Sequence, residues 1–292
     1  MREYMSFGGG VQSTAIALLA VSRDKRLLKA TGGKLPELYC FADTGDEPAA
    51  VYTNVEYMRG LIEESGADFK TVVWDHHKRG NQSLSSHIIT AINEPIPEGK
   101  KTVGWTHPPF YVATSDGGSM PIRRSCTMDF KIKPQDKYMR EYFGVIPRKR
   151  YKESFIRHWF GISCDEMQRE RIAQEKWRTF YYPLFSMGWR RDHCMRYIQE
   201  HGMEVERSAC TYCPFHSASE WQRIKTNAEE WKKVVEFERQ EHEAYDNGKA
   251  MGLKTKPYLH PQRIPIDEVD FTGGQYSLDL GLQNECLGVC GV

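Results

Sequence analysis

Between residues 6 and 15 the chain reads SFGGGVQSTA: the end of a β-prone run, three consecutive glycines, then the opening of an apolar, helix-spaced stretch. No other feature limits the fold as strongly. A strand that turns through glycines into a helix aims several backbone N–H groups and the positive end of a helix dipole at one point. Such a point is an anion site, with phosphate as its natural occupant. Glycine is needed there because an anion-binding nest requires positive φ at some residues and no Cβ in the line of approach. Ser6, Ser13 and Thr14 are expected to add hydroxyl donors to the amides around Gly8, Gly9 and Gly10. Taken alone, the same turn also reads as a tight strand-to-helix connection. The Walker ending Gly-Lys-Ser/Thr and the spaced glycines of the dinucleotide fingerprint are both missing from this stretch.

The surrounding pattern says what kind of sheet holds the loop. REYMSF, ELYCFAD and FKTVVWD read as strands, separated by the helical runs VQSTAIALLAVSRDKRLLKA and AAVYTNVEYMRGLIEESG. Strand, helix, strand, helix, strand predicts an α/β fold: a parallel sheet with helices on both faces. Ligands in such sheets sit at the carboxyl ends of the strands, where the glycines and Asp43-Thr44-Gly45 both fall. Residues 76–124 lose periodicity and gather prolines, predicting an irregular insertion opened by His76 and His77. KIKPQDKYMREYFG is expected to be helical after Pro134 and FIRHWFGIS to be a further strand. The α/β domain is expected over residues 1–185. A mostly helical region over 186–292 carries RDHCMRYIQEHG, one long helix from SASEWQ to EAYDNG, a Cys-x-x-Cys and a cysteine tail.

Lys+Arg 40 against Asp+Glu 39 gives a net charge of +1, so no global field calls for a polyanionic partner. Any nucleic-acid contact must come from a local patch. Arg148, Lys149, Arg150, Lys152, Arg190 and Arg191, interleaved with Trp and Tyr, are the candidates, although most such runs are solvated faces. The start of the chain lacks the apolar run of a signal peptide, and no segment is long and apolar enough to span a membrane, so a cytoplasmic setting is expected. In that compartment the 8 cysteines are expected to be reduced, metal-bound or buried. Cys40 and Cys194 fall in apolar patterns and read as core, and burial is also the expectation for Cys164. Cys210 and Cys213, in ACTYCPF, present two thiolates from one turn, which suits zinc or an iron-sulfur cluster. The Cys-x-x-Cys alone favours structural zinc.

Four stretches, in order, carry a resemblance. Gly8 to Ser13 is similar to the PP-loop of the adenine-nucleotide α-hydrolase superfamily, usually Ser-Gly-Gly-x-Asp-Ser, with Gln12 where that family has Asp. FADTGDEPAAVYTNVEYM resembles the Asp-Thr-Gly segment of the 3′-phosphoadenylyl sulfate reductase branch. RRSCTMDFKIKP resembles its Cys-x-x-x-x-Lys-x-x-Pro region. FGISCDEMQR resembles its Gly-Ile-Arg-x-x-Glu-Ser-x-x-Arg segment, with Ser163 for the arginine. The tail NECLGVCGV is similar to the Glu-Cys-Gly ending of sulfonucleotide reductases, interrupted by Leu287.

The resemblance implies an adenine nucleotide, ATP or an adenylyl sulfate, held by Ser6, Gly8, Gly9, Gly10, Gln12, Ser13, Thr14, Asp43, Thr44 and Gly45, with Mg²⁺ assisting. Asp43 reads either as a contact to metal or ribose or as a cap on its own turn. The resemblance further implies an iron-sulfur cluster on Cys126, Cys210 and Cys213, with Cys286 or Cys290 as fourth ligand or one iron left open. Three functions follow. One is ATP-dependent activation of a tRNA or DNA site for sulfur transfer, with a sulfur-donor protein as partner. The others are reduction of adenylyl sulfate or its 3′-phosphorylated form, and a non-catalytic, zinc-stabilised nucleotide-binding module.

Overall fold

The computed structural model describes residues 1–100, 104–248 and 252–272. Cys286 and Cys290 lie outside the described residues.

The chain opens with β1 (Arg2–Ser6), α1 (Val11–Val21), α2 (Lys25–Thr31), β2 (Leu38–Asp43), α3 (Ala49–Glu64) and β3 (Asp68–Val73). The single helix expected over 11–30 is broken, because Arg23 takes a positive φ of 52° and the Asp24 side chain accepts from Arg26 N to start α2 afresh. The stretch expected to be irregular holds two small hairpins, β4 (Asp75–His76) with β5 (Gly80–Asn81) and β6 (Tyr111–Ala113) with β7 (Ser119–Pro121), and between them a regular helix, α4 (Leu84–Asn93). Ser83 caps α4 by accepting from Ser86 N, and Leu84, Ile88, Ala91 and Ile92 bury one face of it.

A turn of π-helix (Thr127–Ile132) runs directly into α5 (Lys133–Tyr142), followed by β8 (Ile156–Trp159), β9 (Arg178–Tyr181), α6 (Pro183–Met187) and α7 (Arg191–Glu200). The long helix expected near the end is two: α8 (Ala218–Thr226) and α9 (Ala228–Asp246), because the Asn227 side chain accepts from Glu229 N and Glu230 N and restarts the helix.

Five strands form one sheet in the order β3-β2-β1-β8-β9, all parallel. Met5, Phe7, Tyr39 and Phe41 pack with α1, α3 and α7 on one face. Tyr4, Leu38, Cys40 and Ala42 pack with Met139 of α5 on the other. Alternation along each strand thus gives each face its own core. A separate core joins α4, α8, α9 and the segment 252–272 through Phe110, Trp221, Phe237, Leu259 and Phe271. The strand order reverses between β1 and β8, and a crevice opens outside their carboxyl ends, the general position of ligands in such sheets.

Candidate functional site

The glycine loop leaves β1 at this crevice. Gly9 has φ +73°, and an added Cβ would lie 2.9 Å from Val55 Cγ2 and 3.2 Å from Val51 Cγ1, so both conformation and space require glycine. Gly10 is the N-cap of α1 and offers no side chain to the first turn. The first intrahelical bond of the turn is Thr14 N to Gly10 O at 3.0 Å, leaving the amides of Val11, Gln12 and Ser13 to face outward as helix geometry dictates. From β8 the backbone of Gly161 closes on that same turn. A Cβ there would stand 2.8 Å from Ser13 N.

Gly8, Gly10, Val11, Gln12 and Ser13 line an open cleft. Facing them are five cationic side chains, Arg124, Lys131, Arg169, Arg191 and Arg207, and one carboxylate, Glu166. Three of the cations are paired with carboxylates. Lys131 Nζ pairs with Glu47 Oε1 at 2.8 Å and Arg207 Nη1 with Glu220 Oε2 at 2.9 Å. Arg169 Nη1 donates to Glu166 Oε1 at 2.6 Å.

Gln12 sits at the centre of this set. Its Nε2 donates to Glu166 Oε2 at 3.0 Å, and its Oε1 accepts from Arg191 Nη1 at 3.3 Å. A neutral amide satisfies a carboxylate on one side and a guanidinium on the other. An aspartate at position 12 would set a second negative charge against Glu166.

The Asp43-Thr44-Gly45-Asp46 loop forms the next wall. Asp43 Oδ1 accepts from Gly45 N at 2.7 Å and from Tyr52 Oη at 2.8 Å, so it caps its own turn. Asp46 is the hub. Its carboxylate accepts from Ser85 N at 2.7 Å, Ser85 Oγ at 2.7 Å and Tyr212 Oη at 2.8 Å, while its carbonyl accepts from Thr211 N at 2.8 Å. Burial raises the Asp46 carboxyl above its ordinary range even though these three donors oppose the rise. The loop therefore locks α4 on one side and the Cys-x-x-Cys turn on the other.

Thr44 lines the cleft with Cys126, Cys210 and Cys213, and its Oγ1 lies 3.4 Å from Cys210 Sγ. Cys213 N donates to Cys210 O at 2.8 Å, closing a tight turn that presents both thiols from one short segment. Cys126 comes from the residue that starts the π-helical turn, a distortion often found at functional sites. Burial, with Glu47 and Asp46 beside it, pushes the Cys210 thiol well above its ordinary value. Among the described residues no three His, Cys, Asp or Glu side chains are arranged to hold a single ion. None of the described cysteines is in a disulfide.

Of the residues singled out from the sequence, Ser6, Gly8, Gly10, Gln12, Ser13, Thr44, Cys126, Cys210 and Cys213 line one cleft. Gly9, Thr14, Asp43 and Gly45 stand behind it and shape its walls. The three expected hydroxyl donors are turned inward: Ser6 Oγ donates to Gln135 Oε1 at 2.6 Å, Ser13 Oγ to Gly10 O at 3.0 Å, and fully buried Thr14 accepts from Asn54 Nδ2 at 3.0 Å. Donor capacity at the cleft comes instead from amides and guanidinium groups.

Cys40 and Cys194 are buried as expected, while Cys164 is half-buried. The basic run 147–152 precedes β8, so it lies at the amino ends of the strands, opposite the carboxyl ends where the cleft opens. Arg191 is the one member of the expected phosphate grip that reaches the cleft. Arg207 is isolated in sequence and gives no signal there, whereas Arg124, Lys131, Glu166 and Arg169 fall inside the two later motif stretches. No helix among the described residues is long and apolar enough to cross a membrane. In comparison with known proteins, no family model matches this chain, and no curated protein matches it.

Proposed function

We propose that this protein is a nucleotide-dependent enzyme of sulfur metabolism, which activates an acceptor with ATP and passes sulfur to it at the cleft. One observation carries the reading: an uncapped helix N-terminus, an arginine-rich wall and three thiols line the same cleft. The amides of the first turn of α1, with Arg169 and Arg191, are suited to charge building on a departing pyrophosphate. The acceptor oxygen attacks the α-phosphorus of ATP and pyrophosphate leaves. Hydrosulfide delivered by a donor protein then takes the oxygen's place at carbon, and AMP departs with that oxygen.

Cys126, Cys210 and Cys213 have the donor chemistry for an iron-sulfur cluster and share one wall, with Cys286 as the fourth thiolate of the reading. Such a cluster, when bound, supplies an iron that holds sulfur close to the activated carbon. The chain's own part is to fix Cys210 and Cys213 beside the nucleotide through the Asp46 hub, with Cys126 brought to the same cleft by the start of the π-helical turn.

A specific observation favours a second reading, reduction of adenylyl sulfate or its 3′-phosphorylated form. Glu166 is the only carboxylate among the described lining residues, and both its oxygens are engaged, by Arg169 and by Gln12. Mg²⁺ would then have to arrive on the nucleotide with no carboxylate waiting for it, whereas a sulfate ester needs only the arginines.

Anaerobic purification followed by an absorption spectrum, iron and sulfide analysis, and nucleotide binding with and without EDTA tests both. Brown protein that bleaches in Cys126→Ala and Cys213→Ala and releases pyrophosphate from ATP is the expected result. Brown protein that binds adenylyl sulfate tightly in EDTA and leaves ATP intact would move the assignment to the reductase. Colourless protein with stoichiometric zinc and no turnover of either nucleotide would leave a binding module.

A further inference from the structure

Asn54 lies on the inner face of α3 and is 6% exposed. Its Nδ2 donates to Gly9 O at 2.8 Å and to Thr14 Oγ1 at 3.0 Å, while its Oδ1 is buried without a hydrogen-bond partner. The orientation of the amide is forced, because Gly9 O only accepts and so must face the NH₂ group. The side chain thus leaves one of its own polar atoms unsatisfied while it holds a backbone carbonyl, which is an unfavourable arrangement for a buried amide.

That carbonyl belongs to the Gly9–Gly10 peptide. In a trans peptide the C=O and the following N–H point in opposite directions. With Gly9 O drawn toward α3, Gly10 N–H is turned away from α3, toward the side where Gly10 lines the cleft and faces Ser208. Glycine flanks the bond on both sides, and no side chain resists rotation of the peptide plane. A flipped plane would present an oxygen to the cleft and repel an anion.

We infer that Asn54 is a positioning residue that sets the polarity of the glycine loop, keeping the Gly9–Gly10 peptide in its anion-binding orientation through Gly9 O. This rests on the nucleotide reading given above and adds the device that makes the loop an anion site before ligand arrives. The same contact gives Thr14 a role behind the loop, as the second acceptor that steadies the Asn54 amide.

The test uses inorganic pyrophosphate as probe, titrated calorimetrically into wild type, Asn54→Asp and Asn54→Ala between pH 5 and pH 8. Asn54→Asp is nearly isosteric and places a carboxylate against Gly9 O. At pH 8 it is expected to bind pyrophosphate at least about tenfold more weakly than wild type, since two facing acceptors drive the peptide to flip. As pH falls the aspartic acid becomes protonated, regains a donor for Gly9 O, and its deficit relative to wild type at the same pH should close. A merely structural role predicts no such recovery.

Asn54→Ala removes the donor without adding repulsion and is expected to be several-fold weaker at every pH. Equal affinity of Asn54→Ala and wild type overturns the inference whether or not the aspartate variant folds. So does a deficit in folded Asn54→Asp that ignores pH. Wild type that binds no pyrophosphate at any pH overturns the nucleotide reading itself, which separates the two failures.

Discussion

Gly161→Ala is expected to abolish nucleotide binding while leaving the chain folded. The new Cβ would stand 2.8 Å from Ser13 N, 3.0 Å from Ser13 Cα and 3.2 Å from Gln12 C. These are backbone atoms of a helix packed by Ala15, Ile16, Leu18 and Leu19 into the main core, so they cannot swing aside as a flexible side chain would. Either the end of β8 is pushed back or the first turn of α1 unwinds. Overpacking of this kind costs about 1–3 kcal/mol of stability, a loss that a well-packed α/β core survives. The proposed anion site should not survive it, because its amides lie in the turn that must move.

Binding of pyrophosphate and of ATP should fall by about a hundredfold or more, equivalent to roughly 2.7 kcal/mol, with the far-ultraviolet circular dichroism unchanged. A folded Gly161→Ala variant with wild-type affinity would remove the first turn of α1 from the site. Gly9→Val should lose binding for a related reason, through its positive φ and the clash with Val55 and Val51.

The second large effect is on stability and comes from α9. Glu238 and Glu241, one turn apart, are both buried, and Glu241 is 1% exposed with neither carboxyl oxygen hydrogen-bonded. Glu238 Oε1 accepts from Leu259 N at 2.8 Å and its Oε2 from Ile266 N at 2.5 Å, fastening segment 252–272 onto the helix. Burial pushes the Glu238 carboxyl up to about 7 against the opposing pull of those two amides, and Asp267 adds to the rise. Burial, then the neighbouring Glu238, pushes Glu241 well above its ordinary range.

The sign follows from linkage. A carboxyl whose folded pKa exceeds its unfolded value binds more protons folded than unfolded, so stability falls as pH rises above the ordinary carboxyl range near 4.5 and keeps falling through about 7. Each proton involved contributes a slope of about 1.4 kcal/mol per pH unit. Between pH 5.5 and pH 8 these two carboxyls thus pull the melting temperature down, against the opposite contribution of histidines that burial holds below their ordinary range, such as His87 and His260. Glu241→Gln, which removes the charge and keeps the shape, should raise Tm at pH 8 by several degrees and flatten the profile. A Glu241→Gln variant that melts at or below wild type at pH 8 would show that the carboxylate finds a partner on folding.

Much of the sheet is legible in the sequence because its signals are local. REYMSF, ELYCFAD and FKTVVWD alternate with helical runs, and β1, β2 and β3 form there in parallel. β9 is four residues long, with an irregular stretch before it and the short α6 directly after, and has no period to read, so only its pairing with β8 reveals it. α4 carries an apolar stripe and a serine cap, but the prolines around it mask so short a pattern. The two overlong helices conceal caps: Asp24 and Asn227 each restart a helix by accepting from amides ahead of them, a choice made once the two halves have different surfaces to cover.

The sequence by itself determined that three glycines must end a strand and open a helix, that Thr44 stands at the next strand end, and that two cysteines share one turn. All three depend on backbone conformation and spacing along a single segment. Only the tertiary structure decided that Gly161, Glu166, Arg169, Arg191 and Arg207 meet the glycine loop, that Asp46 binds the Cys-x-x-Cys turn to α4, and that the basic run 147–152 faces away. The reason is physical. Strand order in a parallel sheet is fixed by which apolar faces the crossovers bury, and that order, not distance along the chain, brings residues 12, 166 and 191 within hydrogen-bonding reach.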